Sequence, residues 1–404
     1  MEEKQKNESI ISFKNMELGS ASLKSLFMLD PSIIHLNHGS FGACPKSIFD
    51  SLVKWQKLLE REPVKHLAFD IFKHLEKSRE ALSLYVGCHK DDIVFFPNPS
   101  TALNTVLRSL DLKSGDEILT TNHEYGAMDR AWKFLCKKTG SVYINQEVTL
   151  PLLSKEDFIH EFKKGISKRT KVIFLSHITS PTALILPAKE ICDIAREKGI
   201  ITIIDGAHVP AQLDLDISDI NPDFYSGACH KWMCSPKGVA FLYVNKSFQN
   251  KIEPLVVSWG YEAEDPSHSQ FLDYLQWQGT YDMSAYLTIP DTIDFLNKNN
   301  WNNIAKQCHE LNVWARDRIL QEFDIQPICN SMFLGQMSTI EFPFSDPLKN
   351  QMEFYDRYKI QLPFWNWHDK TIFRISIQAY NTKEEIYMLI DALKDYQKHF
   401  LTGV

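Results

Sequence analysis

The chain has 404 residues, more than one hydrophobic core usually serves, so two domains are expected. An apolar content of 44% and a charged content of 24% are those of an ordinary globular protein. A formal charge of −7 argues against a general nucleic-acid binder, which would carry a basic face, and no apolar run reaches the roughly 20 residues that a membrane helix needs.

The start, Met1-Glu2-Glu3-Lys4-Gln5-Lys6-Asn7, is polar and acidic and does not read as a signal peptide. The eight cysteines, Cys44, Cys88, Cys136, Cys192, Cys229, Cys234, Cys308 and Cys329, are scattered with no Cys-x-x-Cys pair. That pattern suits reduced thiols in a cytoplasm better than a disulfide framework or a zinc site. His35-x-x-His38 has no accompanying ligand cluster, and no metal is expected.

Residues 1–30 read as a polar lead and a short helix ending near Met28. Ile33-Ile34-His35-Leu36 is a short strand that leads into Asn37-His38-Gly39-Ser40-Phe41-Gly42, a loop whose glycines let backbone approach a ligand. A helix from Pro45 to about Leu59 is broken at Glu62-Pro63, and a second runs from Phe69 to Val86 with helical apolar spacing. Ile93-Val94-Phe95-Phe96 is a strand. Asn98-Pro99-Ser100-Thr101 then opens a helix with Ala102, Leu103, Val106, Leu107 and Leu110 on one face. Such a start leaves backbone N–H groups free, and its dipole favours an anion, so Ser100 and Thr101 are candidate phosphate ligands; a plain serine N-cap is the alternative.

Glu117-Ile118-Leu119-Thr120 delivers His123 and Tyr125 to its carboxyl end, and Lys171 to His177 is another buried strand with Ser180 at its exit. Pro187 to Lys198 is helical, stopped by Gly199. Ile200-Ile201-Thr202-Ile203-Ile204 is a strand buried on both faces, and Val239 to Val244 adds another. Leu255 to Tyr281 is aromatic-rich and irregular. Ile289 to Leu296 and Trp301 to Phe323 are helices, Thr339 to Phe342 and Ile372 to Ser376 alternating strands with one wet face, and Thr382-x-x-Glu385 a capping box that opens a last helix. The expected architecture is α/β: a large domain over residues 31–290 with a mostly parallel central sheet flanked by helices, and a small α+β domain from residues 1–30 and 291–404.

The Ile200–Ile204 strand runs into Asp205-Gly206-Ala207-His208, and ligands in parallel sheets sit beyond the carboxyl ends of strands. His230-Lys231-Trp232 follows 25 residues later. A carboxylate and a lysine placed in this way suggest pyridoxal 5'-phosphate, which needs a lysine for its Schiff base and an acid for its ring nitrogen. Taken alone, the residues leave open a turn-forming aspartate and a surface lysine.

These motifs resemble the class V aminotransferase family of fold-type I pyridoxal-phosphate enzymes, within it the isopenicillin N epimerase-like branch. The resemblance recurs at Asn37–Gly42, Pro99–Asn104, His123–Ala127, Ser180-Pro181-Thr182-Ala183, Gln278-Gly279-Thr280 and Phe373-Arg374-Ile375-Ser376. It implies Lys231 as the Schiff-base lysine and Asp205 as the partner of the pyridine nitrogen. It further implies Tyr125 stacked on the ring, His208 and Ser180 at the phenolic oxygen, and Ser100, Thr101 and His230 at the phosphate. Asn37 and His38 would lie near the substrate. Thr280 would reach the neighbouring subunit's phosphate, which implies a homodimer with shared sites. A serine of relatives near the lysine is Ala228 here.

Arg374 offers a planar fork for a substrate carboxylate. The expected activity is removal of the Cα proton of an amino-acid substrate, ending in epimerisation. The alternatives are C–S β-elimination, as in hercynylcysteine sulfoxide lyases, then cysteine desulfuration or amino transfer. Desulfuration would want a cysteine in the loop before Arg374, which reads Gln361-Leu362-Pro363-Phe364-Trp365-Asn366-Trp367-His368. Phe364, Trp365 and Trp367 suggest an aromatic wall or core packing. Tyr125 and His123 are the candidates for a second proton donor, unless His123 only holds its loop. A carrier or regulator built on the fold remains a different class of reading.

Overall fold

In a computed structural model, residues 17–344 and 346–398 are described; the polar lead before residue 17 lies outside them. Twelve strands are described: β1 (Ile34–His35), β2 (Ile93–Phe96), β3 (Glu117–Thr121), β4 (Val142–Gln146), β5 (Thr170–Ser176), β6 (Ile201–Gly206), β7 (Phe224–Ala228), β8 (Ala240–Val244), β9 (Met337–Glu341), β10 (Ile360–Gln361), β11 (Phe364–Trp367) and β12 (Lys370–Ser376). Seven of them form the central sheet in the order β2-β8-β7-β6-β5-β3-β4. β8 runs against both its neighbours, and the other pairings are parallel. The carboxyl ends of β2, β3, β5, β6 and β7 therefore share one edge.

Continuous apolar runs follow from burial on both faces. Phe95, Leu119, Ile173, Leu175, Ile204 and Tyr225 join one core, while Val94, Ile118, Val172, Phe174, Ile203 and Phe224 join a second on the opposite face. Helices cover both faces, among them Pro99–Ser109, Gly126–Thr139 and Ala188–Glu197. The last of these is stopped by Gly199 at φ +65°.

The carboxyl-terminal part carries a three-stranded antiparallel sheet, β11-β12-β9, with the helices Trp301–Phe323, Pro347–Tyr358 and Lys383–Tyr396. The capping box at Thr382 and Glu385 forms as expected. The expected wet face of β9 and β12 does not exist, since both strands are buried on both sides. Ser338 on one side bonds Asn312 of the Trp301–Phe323 helix. On the other, Thr339 and Arg374, paired in register, reach Pro181 and Ser180 of the segment after β5. The polar residues of the alternation face a site rather than bulk water.

Several local readings are corrected. Asn37–Gly42 is not an open loop but carries one helical turn, His38–Phe41. The second helix begins with a π-helical turn at Lys65–Asp70. The stretch before Tyr281 holds the helix Gln270–Gln276. β4 was not anticipated; its residues are only partly buried at the sheet edge, so the apolar signal is weak. Among the described residues no helix is long and apolar enough to cross a membrane.

Candidate active site

A cavity of about 480 Å³ opens along the shared edge, a size usual for small-molecule sites. Each strand end contributes: Asn98 and Ser100 after β2, Tyr125 after β3, Ser176 to Ser180 at the end of β5, Asp205 to His208 at β6, and His230 and Lys231 after β7. Gly39, Ser40 and Phe41 close it from the His38–Phe41 turn, and Arg374 enters from β12.

Three charged groups set its chemistry. Asp205 is 5% exposed, and its Oδ1 accepts a bond from the Ala207 N–H at 3.0 Å. Burial pushes its carboxyl above the ordinary value, against the effect of that N–H and of Lys231. Lys231 is lowered to about 7, by burial first and then by Arg374, with Asp205 opposing. Its Nζ stands 3.1 Å from His208 Nε2. Arg374, 3% exposed, donates from Nη1 to the Ser180 carbonyl at 2.5 Å, while its Nε has no partner. Among the described residues none of the three is in an ion pair within 4.0 Å. A buried carboxyl, a buried guanidinium and a partly buried amine in one cavity call for ligand groups of complementary charge.

The loop that carries Lys231 is braced from the amino-terminal turn. His38 Nε2 lies 3.0 Å from the Lys231 carbonyl and must donate to it, so its Nδ1 accepts from the Tyr380 hydroxyl at 2.9 Å. Burial lowers His38 to about 3, so it is neutral. Gly42, at φ +70°, packs where a Cβ would meet the His230 and Lys231 carbonyls, and its own carbonyl accepts from Lys237 at 2.8 Å.

The structure brings together Lys231, Asp205, His208, His230, Ser100, Ser180, Tyr125 and Arg374. It removes others from the cavity wall. His123 is buried behind it: its Nε2 donates to the Val148 carbonyl at 3.0 Å, its Nδ1 accepts from Thr182 at 2.9 Å, and Trp367 lies against its ring. Burial lowers it to about 4, so it holds the loop and is no free acid. His38 and Asn37 do not face the substrate space; Asn37 accepts from Ser40 at 2.6 Å, and Ser40 and Phe41 of the same motif face it instead. Asn98, rather than Ser100, caps the Pro99–Ser109 helix, accepting from the Thr101 N–H and hydroxyl. That engages Thr101 and leaves Ser100 for the cavity. Thr280 is exposed and does not line this chain's own cavity. The expected aromatic wall is also displaced. Phe364 packs with Phe344 and Phe354, Trp365 lies under the Arg374 guanidinium at 5.5 Å, and Phe41 and Ile178 line the cavity in their stead.

Ser176 and Glu124 were missed. Ser176 pairs in register with Asp205, so the strand-end rule could have found it. Its hydroxyl donates to Glu124 at 2.6 Å, and burial raises that carboxyl to about 7. No sequence signal marks Glu124.

Charge and shape fit pyridoxal phosphate. Asp205 would hold the pyridine nitrogen, Ser100, His230 and the N–H groups of the helix start the phosphate, and His208 the phenolic oxygen. Tyr125 would cover the ring and Lys231 would carry the covalent link. In the unfolded chain the lysine protonates near 10.5, in the fold near 7. The cofactor-free fold thus loses stability as pH falls from 10.5 to 7, and the loss is complete below that. Lys231→Met in cofactor-free protein should be more stable than the parent at neutral pH by a few kcal/mol, on the order expected for such a shift. The gap should close as pH rises towards 10.5. Urea unfolding across that range checks this, and a pH-independent gap would contradict it.

The aminotransferase class-V family model matches residues 44–389. Isopenicillin N epimerase of Amycolatopsis lactamdurans is 30% identical over 94% of this chain and 98% of its own. A probable chloroplastic L-cysteine desulfhydrase of Arabidopsis thaliana is 27% identical over 93% of this chain and 86% of its own. Among solved structures, an apo cysteine desulfurase from Thermococcus onnurineus NA1 superposes with a TM-score of 0.81 at 19% identity, covering 95% of this chain and 99% of that one. The chain belongs to the class V aminotransferase family and is a pyridoxal-phosphate-dependent enzyme.

Proposed function

We propose that this enzyme removes the Cα proton of an amino acid and returns it with inversion, as an epimerase. The observation that carries the reading is the meeting, in one cavity, of a lysine amine that burial lowers to about 7 and a buried arginine. Arg374, which lines the cavity, binds the substrate's α-carboxylate through its guanidinium, with Trp365 against the guanidinium plane. Lys231 Nζ takes the proton, since an amine titrating near 7 is matched to proton transfer at that pH. When bound, pyridoxal phosphate supplies the electron sink for the charge left at Cα. Asp205 keeps a positive pyridine nitrogen in place, and that charge in turn offsets the cost of burying the carboxylate. The similarity to isopenicillin N epimerase supports inversion.

One observation favours a second reading, β-elimination. With His123 locked to Val148 and Thr182, Tyr125 is the remaining candidate to hand back a proton from a second position. Elimination needs only a leaving group. The similarity to a cysteine desulfhydrase points the same way. No cysteine lines the cavity, so persulfide chemistry has no nucleophile there.

Incubation with a panel of amino acids in heavy water separates the readings. Deuterium at Cα with inversion and no keto acid is the expected outcome. Pyruvate from a sulfur-bearing substrate would transfer the assignment to the lyase. Amino transfer to an added keto acid would overturn both.

The reading includes a homodimer, supported by the exposed Thr280 beside Gly279 at φ +111°, and a reducing, cytoplasmic setting, supported by eight free cysteines. Mixing inactive Lys231→Ala protein with an inactive bulky variant at Thr280 should restore part of the activity through hybrid sites. A fully active monomer in sedimentation would contradict the dimer.

A further inference from the structure

His208 sits between two nitrogen partners. On one side the Trp232 indole N–H donates to Nδ1 at 3.3 Å. On the other, Nε2 lies 3.1 Å from Lys231 Nζ. An indole N–H can only donate, so Nδ1 must be unprotonated. A neutral ring then carries its proton on Nε2, and that proton points at the lysine amine. The amine can accept it only as –NH2. An ammonium in this place would need Nε2 as its acceptor, hence the other tautomer, and two N–H groups would then face each other at Nδ1.

We propose that Trp232 is a positioning residue that fixes the Nε2–H tautomer of His208 and thereby holds the Lys231 amine in its neutral form. It acts through His208 and touches neither substrate nor cofactor. Trp232 is well placed for this because it does not move independently: it is fully buried, follows Lys231 directly, and lies 5.1 Å from the His38 ring, which in turn bonds the Lys231 carbonyl. One indole thus ties the backbone brace of the lysine to the ring that meets its side chain. The charged and titratable groups facing the amine are Asp205 and His208 from the β6 end, His230 from its own loop and Arg374 from β12. Arg374 also disfavours an ammonium, and Asp205 favours it. The tautomer lock acts beside these charges and is separable from them. The idea rests on Lys231 as the reactive amine but not on which reaction follows.

The test uses cofactor-free full-length protein. The pH dependence of Lys231 labelling by acetic anhydride, read by mass spectrometry, reports the titration of the amine. Trp232→Phe should move that titration upward by about one unit, a tenfold loss of neutral amine on the acid side. A cavity that admits water could also raise it, so the same substitution is made in the His208→Met background, where no shift should remain. Equal shifts in both backgrounds, or none in either, would overturn the proposal. Should Trp232→Phe fail to fold, the unsubstituted protein still decides. Nitrogen-15 histidine spectra should show His208 protonated at Nε2, and a ring protonated at Nδ1 would overturn the lock.

Discussion

Burial of ionisable groups without ion-pair partners governs this molecule. Asp205, Lys231 and Arg374 share one cavity, and none of them satisfies another at bonding distance. A folded chain tolerates such an arrangement only where stability gained elsewhere exceeds its cost. Here that stability comes from a central sheet packed on both faces, whose two cores run the length of β2 to β8. The cost is confined to the strand ends, where a ligand with complementary charge can relieve it. The lowered lysine, the raised carboxyl and the unpartnered arginine nitrogen are three expressions of one constraint.

The scaffold converts that constraint into geometry. Five parallel strand ends fix the cofactor side of the cavity. The substrate side is made by elements distant in sequence: the His38–Phe41 turn and β12. They meet at the lysine loop, where His38 bonds the Lys231 carbonyl and Gly42 admits the His230 backbone. Ser376 bonds Leu36, and β1 pairs with β10, so the amino-terminal turn and the Arg374 strand are fastened together. Arg374 and Lys231 are therefore held by one continuous network.

Much of this was legible in the residues. The Ile-rich β6 could only be a strand buried on both sides, and Asp205 at its end stands where ligands bind. Lys231 and Arg374 were recognisable by motif and chemistry. What the sequence did not disclose was direction. Within Asn37–Gly42, a single helical turn decides that Ser40 and Phe41 face the cavity while His38 turns inward. In His123-Glu124-Tyr125, the backbone bends so that Tyr125 caps the next helix and His123 is drawn behind the wall by Thr182, a residue 59 positions away. The alternation along β12 is visible, yet it reads as a wet face because the partner facing it, Ser180, lies 194 residues earlier. Long-range contacts of this kind leave no local period to read.

His123, bonded to Val148 and Thr182, is not free to supply a proton from a second position. Among the described residues Lys231 is the lysine that lines the cavity, which makes it the proposed carrier of the cofactor. Borohydride reduction of the holoenzyme, followed by peptide mapping, tests it most directly. The account predicts a single reduced pyridoxyl adduct, on Lys231. An adduct on any other lysine would contradict it.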